Sequence, residues 1–179
     1  ALRQVTRRSV RILNFVIWPT MVGLAACGEP LIRLVLTEKW IPSLVYLYLF
    51  CFEYTIFPVS TLYNISIKSI GKPGVNLKII IANRLFGIIT LLLFMKNGVL
   101  WIAITSIITR LFELLMSAQV NRKYFHYSLL DQIKDLVPPI IISLIMGFAV
   151  WCIKYLRFSD PITLLLQVFA GILIYVLIC

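Results

Sequence analysis

Residues 75–95 read VNLKIIIANRLFGIITLLLFM, 21 positions interrupted by one lysine near the start and one arginine in the middle. A helix rises about 1.5 Å per residue and the hydrocarbon core of a bilayer is about 30 Å thick, so a spanning helix needs about 20 apolar residues in a row. This stretch supplies them. It is continuously apolar and lacks the period-two alternation of a barrel strand, which leaves the helix as the structure that satisfies its own backbone in lipid. The same reading carried outward gives six spans, at residues 12–36, 41–67, 75–95, 99–120, 136–155 and 161–179. The expected fold is an all-α membrane protein.

Composition agrees with lipid as the solvent. Hydrophobic residues make up 61% of the 179 and charged residues only 13%, and the mean hydropathy is +0.98. A soluble globular domain carries about twice that share of charge. The chain opens without Met and its last apolar run stops at Cys179 with no polar flank, so it reads as part of a longer protein. Six spans then read as one lobe of a carrier built from two halves, residues 1–179 forming a single helical lobe.

Charge placement gives an orientation. Arg3, Arg7, Arg8, Arg11, Lys68, Lys72, Lys78, Arg122, Lys123 and Lys134 fall on one side of the expected spans, and Lys39, Lys96, Lys154 and Arg157 on the other. Short loops rich in Lys and Arg stay in the cytoplasm, so the first side is the inner one. The net charge of +10 is therefore topological. No nucleic-acid partner is expected, because that would need a solvated basic domain. Trp40, Trp101 and Trp151 fall near the outer ends of spans, where the ring suits the headgroup layer, and Trp18 is the exception.

The connections are short. Gly71, Lys72, Pro73 and Gly74 spell an inner turn, and Lys96, Asn97 and Gly98 an outer one. Residues 121–135 form the long loop, in which Ser128 and Asp131 have capping-box spacing. Leu129, Leu130, Ile133 and Leu136 follow at helical intervals, so a short amphipathic helix along the inner surface is expected there. Cys27, Cys51, Cys152 and Cys179 sit one to a span and form no zinc or haem motif; no metal and no cofactor is expected. His126 stands alone in the inner loop and is a poor catalytic candidate.

The ionisable residues inside the membrane carry the functional reading. A charge at the bilayer centre costs about 2.5–3.5 kcal/mol even on the lenient insertion scale, so each must be interfacial, paired or facing a wet cavity. Glu29 and Arg33 are four apart with the acid first, a favourable helical pair at the outer rim. Arg110 and Glu113 are three apart in mid-span and can pair on one face. Arg84 has no acidic neighbour on its own helix and lies nine residues beyond Val75, about 14 Å deep. Glu53, at similar depth in the second span, is its expected partner, as a permanent ion pair or as a site that exchanges partners. A guanidinium stays charged when buried and offers a fork of donors, so Arg84 and Arg110 are the candidates for receiving an anionic substrate. Glu53 and Glu113 are the candidates for ion coupling, because neutralising a buried carboxylate changes which conformation is favoured. Tyr46, Tyr48, Tyr54 and Tyr63 serve as interfacial or packing residues or as platforms for sugars. Pro19 and Pro58 permit kinks within their spans.

The run GEPLIRLVLTEKW at residues 28–40, followed by SIGKP at 69–73, resembles the bacterial polysaccharide flippases related to lipopolysaccharide and colanic acid export. The segment YSLLDQIKDLVP at 127–138 is similar to the connector those proteins carry before their next span. The resemblance implies a two-lobed carrier of the superfamily that includes multidrug-extrusion proteins, with this chain as its C-terminal part and an N-terminal lobe of the same chain facing it. It also implies residence in the bacterial cytoplasmic (inner) membrane, and a substrate consisting of an undecaprenyl-pyrophosphate-linked oligosaccharide moved to the periplasmic leaflet by alternating access. Membrane lipids and the polysaccharide polymerase machinery are the other partners it implies. A drug exporter of the same superfamily is the nearer alternative. A membrane glycosyl or acyl transferase is the more distant one, since the loops offer Glu38, Asp131, Asp135, Asp160 and one histidine without catalytic or metal spacing.

Overall fold

The computed structural model describes residues 2–125, 129–153 and 160–178. Among them every element is helical: α1 (Leu2–Ala26), α2 (Gly28–Leu36), a 3₁₀ segment (Glu38–Ser43), α3 (Leu44–Ser69), α4 (Pro73–Phe94), a second 3₁₀ turn (Met95–Asn97), α5 (Val99–Phe125), α6 (Leu129–Ile153) and α7 (Asp160–Ile178). Among the described residues five helical stretches are long and apolar enough to cross a membrane. The sixth expected span is the shorter apolar helix Pro161–Leu177. The protein is thus a multi-pass helical membrane protein.

Two differences from the expected spans have physical causes. The first run breaks at Cys27, whose φ of −87° and ψ of 0° leave the helical basin. Pro30 follows three residues later, cannot donate to the carbonyl of Ala26 and crowds it, so the helix restarts as α2. The expected surface helix after residue 128 is continuous with the next span, because nothing between Leu129 and Ile153 interrupts α6 until well past its two adjacent prolines, Pro138 and Pro139. The capping Ser128, His126, Lys154 and Arg157 lie outside the described residues.

The chain forms two compact units. The first comprises residues up to Asn14 together with Phe52–Leu136. Its core gathers Val10, Val59, Tyr63 and Ala118, with Leu62, Leu114 and Leu136 against them. Small polar residues let these helices approach closely while returning their hydrogen bonds to the backbone. Ser117 Oγ donates to the Glu113 carbonyl at 2.7 Å, and Asn121 Nδ2 donates to the Ser117 carbonyl at 2.9 Å and to the Tyr63 carbonyl of α3 at 3.3 Å. The turns are the expected ones: Gly71 adopts φ 73° before Pro73 opens α4, and Gly98 adopts φ 105° before α5, conformations in which a side chain is strained. Helices α4 and α5 lie together, Phe86 stacked on Phe112 at 4.3 Å and Phe94 on Trp101 at 5.4 Å. Gly87 sets their spacing, since a Cβ there would stand 3.2 Å from Thr109 Cγ2.

The second unit comprises Phe15–Cys51 and the residues from Val137 onward. Cys27, Met146 and Val150 are its buried centre, with Ala26, Leu164, Ile174 and Tyr175 packed around them. Gly147 allows α6 to meet α1, for any Cβ would overlap Val22. Pro19 cannot donate to the Phe15 carbonyl one turn earlier, and the Tyr175 hydroxyl of α7 donates to that carbonyl instead. The carbonyl that Pro19 leaves free thereby becomes a tie between α1 and α7.

Candidate functional site

Three helices of the first unit turn polar side chains toward one another at mid-span. Glu53, Phe57 and Asn64 share a face of α3, Asn83, Arg84 and Gly87 lie on α4, and Ser106, Arg110 and Glu113 recur at helical spacing on α5. Together they line a cavity of about 540 Å³. The remainder of these helices is apolar, and their outward residues, such as Leu85, Leu92 and Leu115, are more than half exposed, as lipid-facing side chains are.

Arg110 is the centre of the cluster. Its Nη1 lies 2.9 Å from Glu113 Oε2 and its Nη2 3.5 Å from Glu53 Oε1. The guanidinium also sits over the Phe57 ring at 5.0 Å. Glu113 is the better-served carboxylate: Asn64 Nδ2 donates to Oε1 at 3.0 Å and Asn83 Nδ2 to Oε2 at 3.3 Å. Glu53 receives the Ser106 hydroxyl on Oε2 at 2.8 Å, a proton that Ser106 shares with the Ala103 carbonyl. Asn64 Oδ1, Asn83 Oδ1 and Arg110 Nε are buried and meet no protein partner.

The expected Arg110–Glu113 pair is therefore present, and so is Glu29–Arg33 at 2.9 Å, with Glu38 joining from 3.4 Å. The expected Glu53–Arg84 pair is replaced by Glu53–Arg110. Both arginines stand at mid-depth, but α4 packs on α5 through Gly87 and Phe86, and the rotation this fixes leaves Arg110 as the cation facing Glu53. Arg84 lines the same cavity, is exposed, and has no carboxylate contact among the described residues. The four ionisable side chains sum to zero charge but pair unevenly, one guanidinium holding both carboxylates and the other none.

Of the span-two tyrosines, Tyr63 is buried in the core and so is a packing residue, while Tyr48 and Tyr54 are exposed. Asn64, Asn83 and Ser106 carry no charge to mark them in the sequence, although an asparagine inside an apolar run is itself a signal of an internal polar partner. Among the described residues no three His, Cys, Asp or Glu side chains are placed to hold a metal ion.

Compared with known proteins, residues 1–45 match the model of a family described as "Polysaccharide biosynthesis protein". That stretch contains the run at 28–40, whereas the polar cluster lies beyond it. No curated protein and no solved structure matches the chain. The protein is a multi-pass helical membrane protein whose N-terminal stretch is similar to that family.

Proposed function

We propose that this chain is one lobe of a bacterial inner-membrane flippase that carries an undecaprenyl-pyrophosphate-linked oligosaccharide from the cytoplasmic to the periplasmic leaflet. The observation that carries this reading is Arg84, a guanidinium midway along its helix that opens onto a polar cavity and has no carboxylate contact among the described residues. The similarity of residues 1–45 to a polysaccharide-biosynthesis family supports the substrate class.

Arg84 supplies a planar fork of donors to a pyrophosphate oxygen without a change in its own charge. Arg110, already held by Glu113 and Glu53, adds positive potential from behind, and its longer contact to Glu53 is the one that opens when substrate arrives. A proton or sodium ion on Glu53 or Glu113 would cancel one carboxylate, loosen Arg110 and so favour a different conformation of the cavity, which is how a downhill ion would drive the return. The prenyl chain stays in lipid while this lobe and an N-terminal lobe rock against each other and pass the glycan to the polymerase machinery outside.

The test is delivery of the lipid-linked oligosaccharide across inside-out vesicles containing the full-length transporter. A charge-assisted hydrogen bond is worth about 1.5–3 kcal/mol, so Arg84→Gln slows initial transport by about tenfold to a hundredfold, and Arg84→Lys retains an intermediate rate. Transport by Arg84→Gln at the unmodified rate would remove the pyrophosphate role. Unchanged gradient dependence in Glu53→Gln and Glu113→Gln would remove ion coupling from those two residues.

A further inference from the structure

The second unit contains a cavity of about 560 Å³ walled by α1, α2, α6 and α7, a size typical of sites for small ligands. Its chemistry is the opposite of the polar cluster. No charged side chain lines it, and the donors of its three most polar lining residues are turned into the protein. Thr20 Oγ1 donates to the Val16 carbonyl at 2.6 Å, Gln167 Nε2 to the Val150 carbonyl at 3.2 Å, and the Tyr175 hydroxyl to the Phe15 carbonyl. Gln167 is only 1% exposed, and its Oε1 is buried without a hydrogen-bond partner.

A water molecule needs two to four polar partners to occupy a cavity, and the lining of this one is overwhelmingly apolar. It carries no cation to meet a phosphate either, so headgroups have no place in it. The cavity is open on one side, and its rim is formed by Val16, Val168, Ile172 and Val176, which are 45–68% exposed and wholly apolar. That rim belongs to membrane-embedded helices, so hydrocarbon reaches the opening directly. Inside, Gly23 and Gly171 make the room: a Cβ at Gly171 would already stand 3.3 Å from Val150 Cγ2.

We propose that this cavity holds one acyl chain of a membrane phospholipid, entered sideways from the bilayer past Val168 and Ile172, with the headgroup left outside. The tie between Tyr175 and the carbonyl that Pro19 frees keeps α1 and α7 apart at a fixed distance, so the slot persists whether or not it is filled. The site is independent of the arginine cluster and of the transport reading.

The test uses the full-length protein in vesicles of phosphatidylethanolamine and phosphatidylglycerol doped with a phosphatidylcholine bearing a mid-chain diazirine. After illumination, mass spectrometry locates the adducts. The expected adducts concentrate on the peptides covering residues 15–31 and 164–176, beyond what their outward exposure accounts for. Val168→Trp and Ile172→Trp, both at exposed rim positions, each reduce those adducts several-fold, and Leu92→Trp on the outward face of α4 does not. Adducts spread in proportion to exposure, and insensitive to both rim substitutions, would overturn the proposal. So would displacement of the label by a small fraction of undecaprenol, which reassigns the slot to a prenyl chain, or adducts replaced by crosslinks to another protein, which reassigns it to a helix.

Discussion

Arg110→Met deletes the cation that two half-buried carboxylates share, and its cost follows from the geometry. Removing one partner of a buried ion pair costs about 3–5 kcal/mol, because the other charge is left desolvated and unpaired. Here Glu53 and Glu113 side chains are each 14% exposed and Arg110 25%, so the cavity screens part of the penalty. Glu113 also keeps its two asparagine donors and Glu53 keeps Ser106. We expect about 2–3 kcal/mol of destabilisation, measured by SDS titration of the purified protein in mixed micelles. Tryptophan fluorescence follows the unit directly, since Trp101 stacks on Phe94 within it. Adding Glu113→Gln to Arg110→Met removes one of the stranded charges and recovers about 1 kcal/mol. The ordering of the single substitutions is fixed too: Glu113→Gln, which breaks a 2.9 Å contact, costs more than Glu53→Gln, which breaks one of 3.5 Å. If Arg110→Met shifts the transition by less than about 0.5 kcal/mol, or if the double variant is worse than the single by the full cost of Glu113→Gln alone, the three residues are not an energetic unit.

Tyr175→Phe leaves the Phe15 carbonyl without a donor and destabilises the second unit by about 1–2 kcal/mol, read as faster thiol labelling of the buried Cys27 in a background where Cys51, Cys152 and Cys179 are serine. Pro19→Ala restores an N–H one turn on and so cancels most of that loss in the double variant. Gly74→Ala, in α4 with nothing within 4 Å of the added Cβ, raises stability by about 0.5–1 kcal/mol in the SDS titration. Gly28→Ala lowers it by about 1 kcal/mol or more, since its Cβ would stand 2.9 Å from the ends of both Leu44 and Leu47.

What the sequence made legible is what depends on one coordinate. Length and continuous hydropathy place α3, α4 and α5 across a bilayer because the hydrocarbon thickness fixes how many apolar residues a span must have. Pairs set by helical spacing were legible for the same reason: Glu29 with Arg33 and Arg110 with Glu113 need only the pitch of one helix. The break at Cys27 was also within reach, since Pro30 removes a helix bond wherever it stands inside an apolar run.

The partner of Glu53 was not legible, and the reason is geometric. Counting residues from the membrane surface gives depth, and at that depth Arg84 and Arg110 are equivalent; the choice between them is made by rotation about the helix axis. Rotation is set by contacts across helices, here Gly87 against Thr109 and Phe86 on Phe112, whose pairing no spacing within one helix reveals. The same rotation places Asn64 and Asn83 on the two oxygens of Glu113. These amides have no charge to announce them, but each takes a lone pair that a guanidinium would otherwise compete for. With Glu113 satisfied by three donors and Glu53 by Arg110 and Ser106, neither carboxylate of the cluster is left for Arg84. Arg84 is exposed and opens onto the polar cavity, so its charge keeps solvation that a guanidinium sealed in dry protein would lose. Among the described residues Arg84 makes the fewest contacts in the cluster, so Arg84→Gln should leave stability within about 0.5 kcal/mol of the unmodified protein in the SDS titration, while under the proposed transport reading it slows delivery by about tenfold or more.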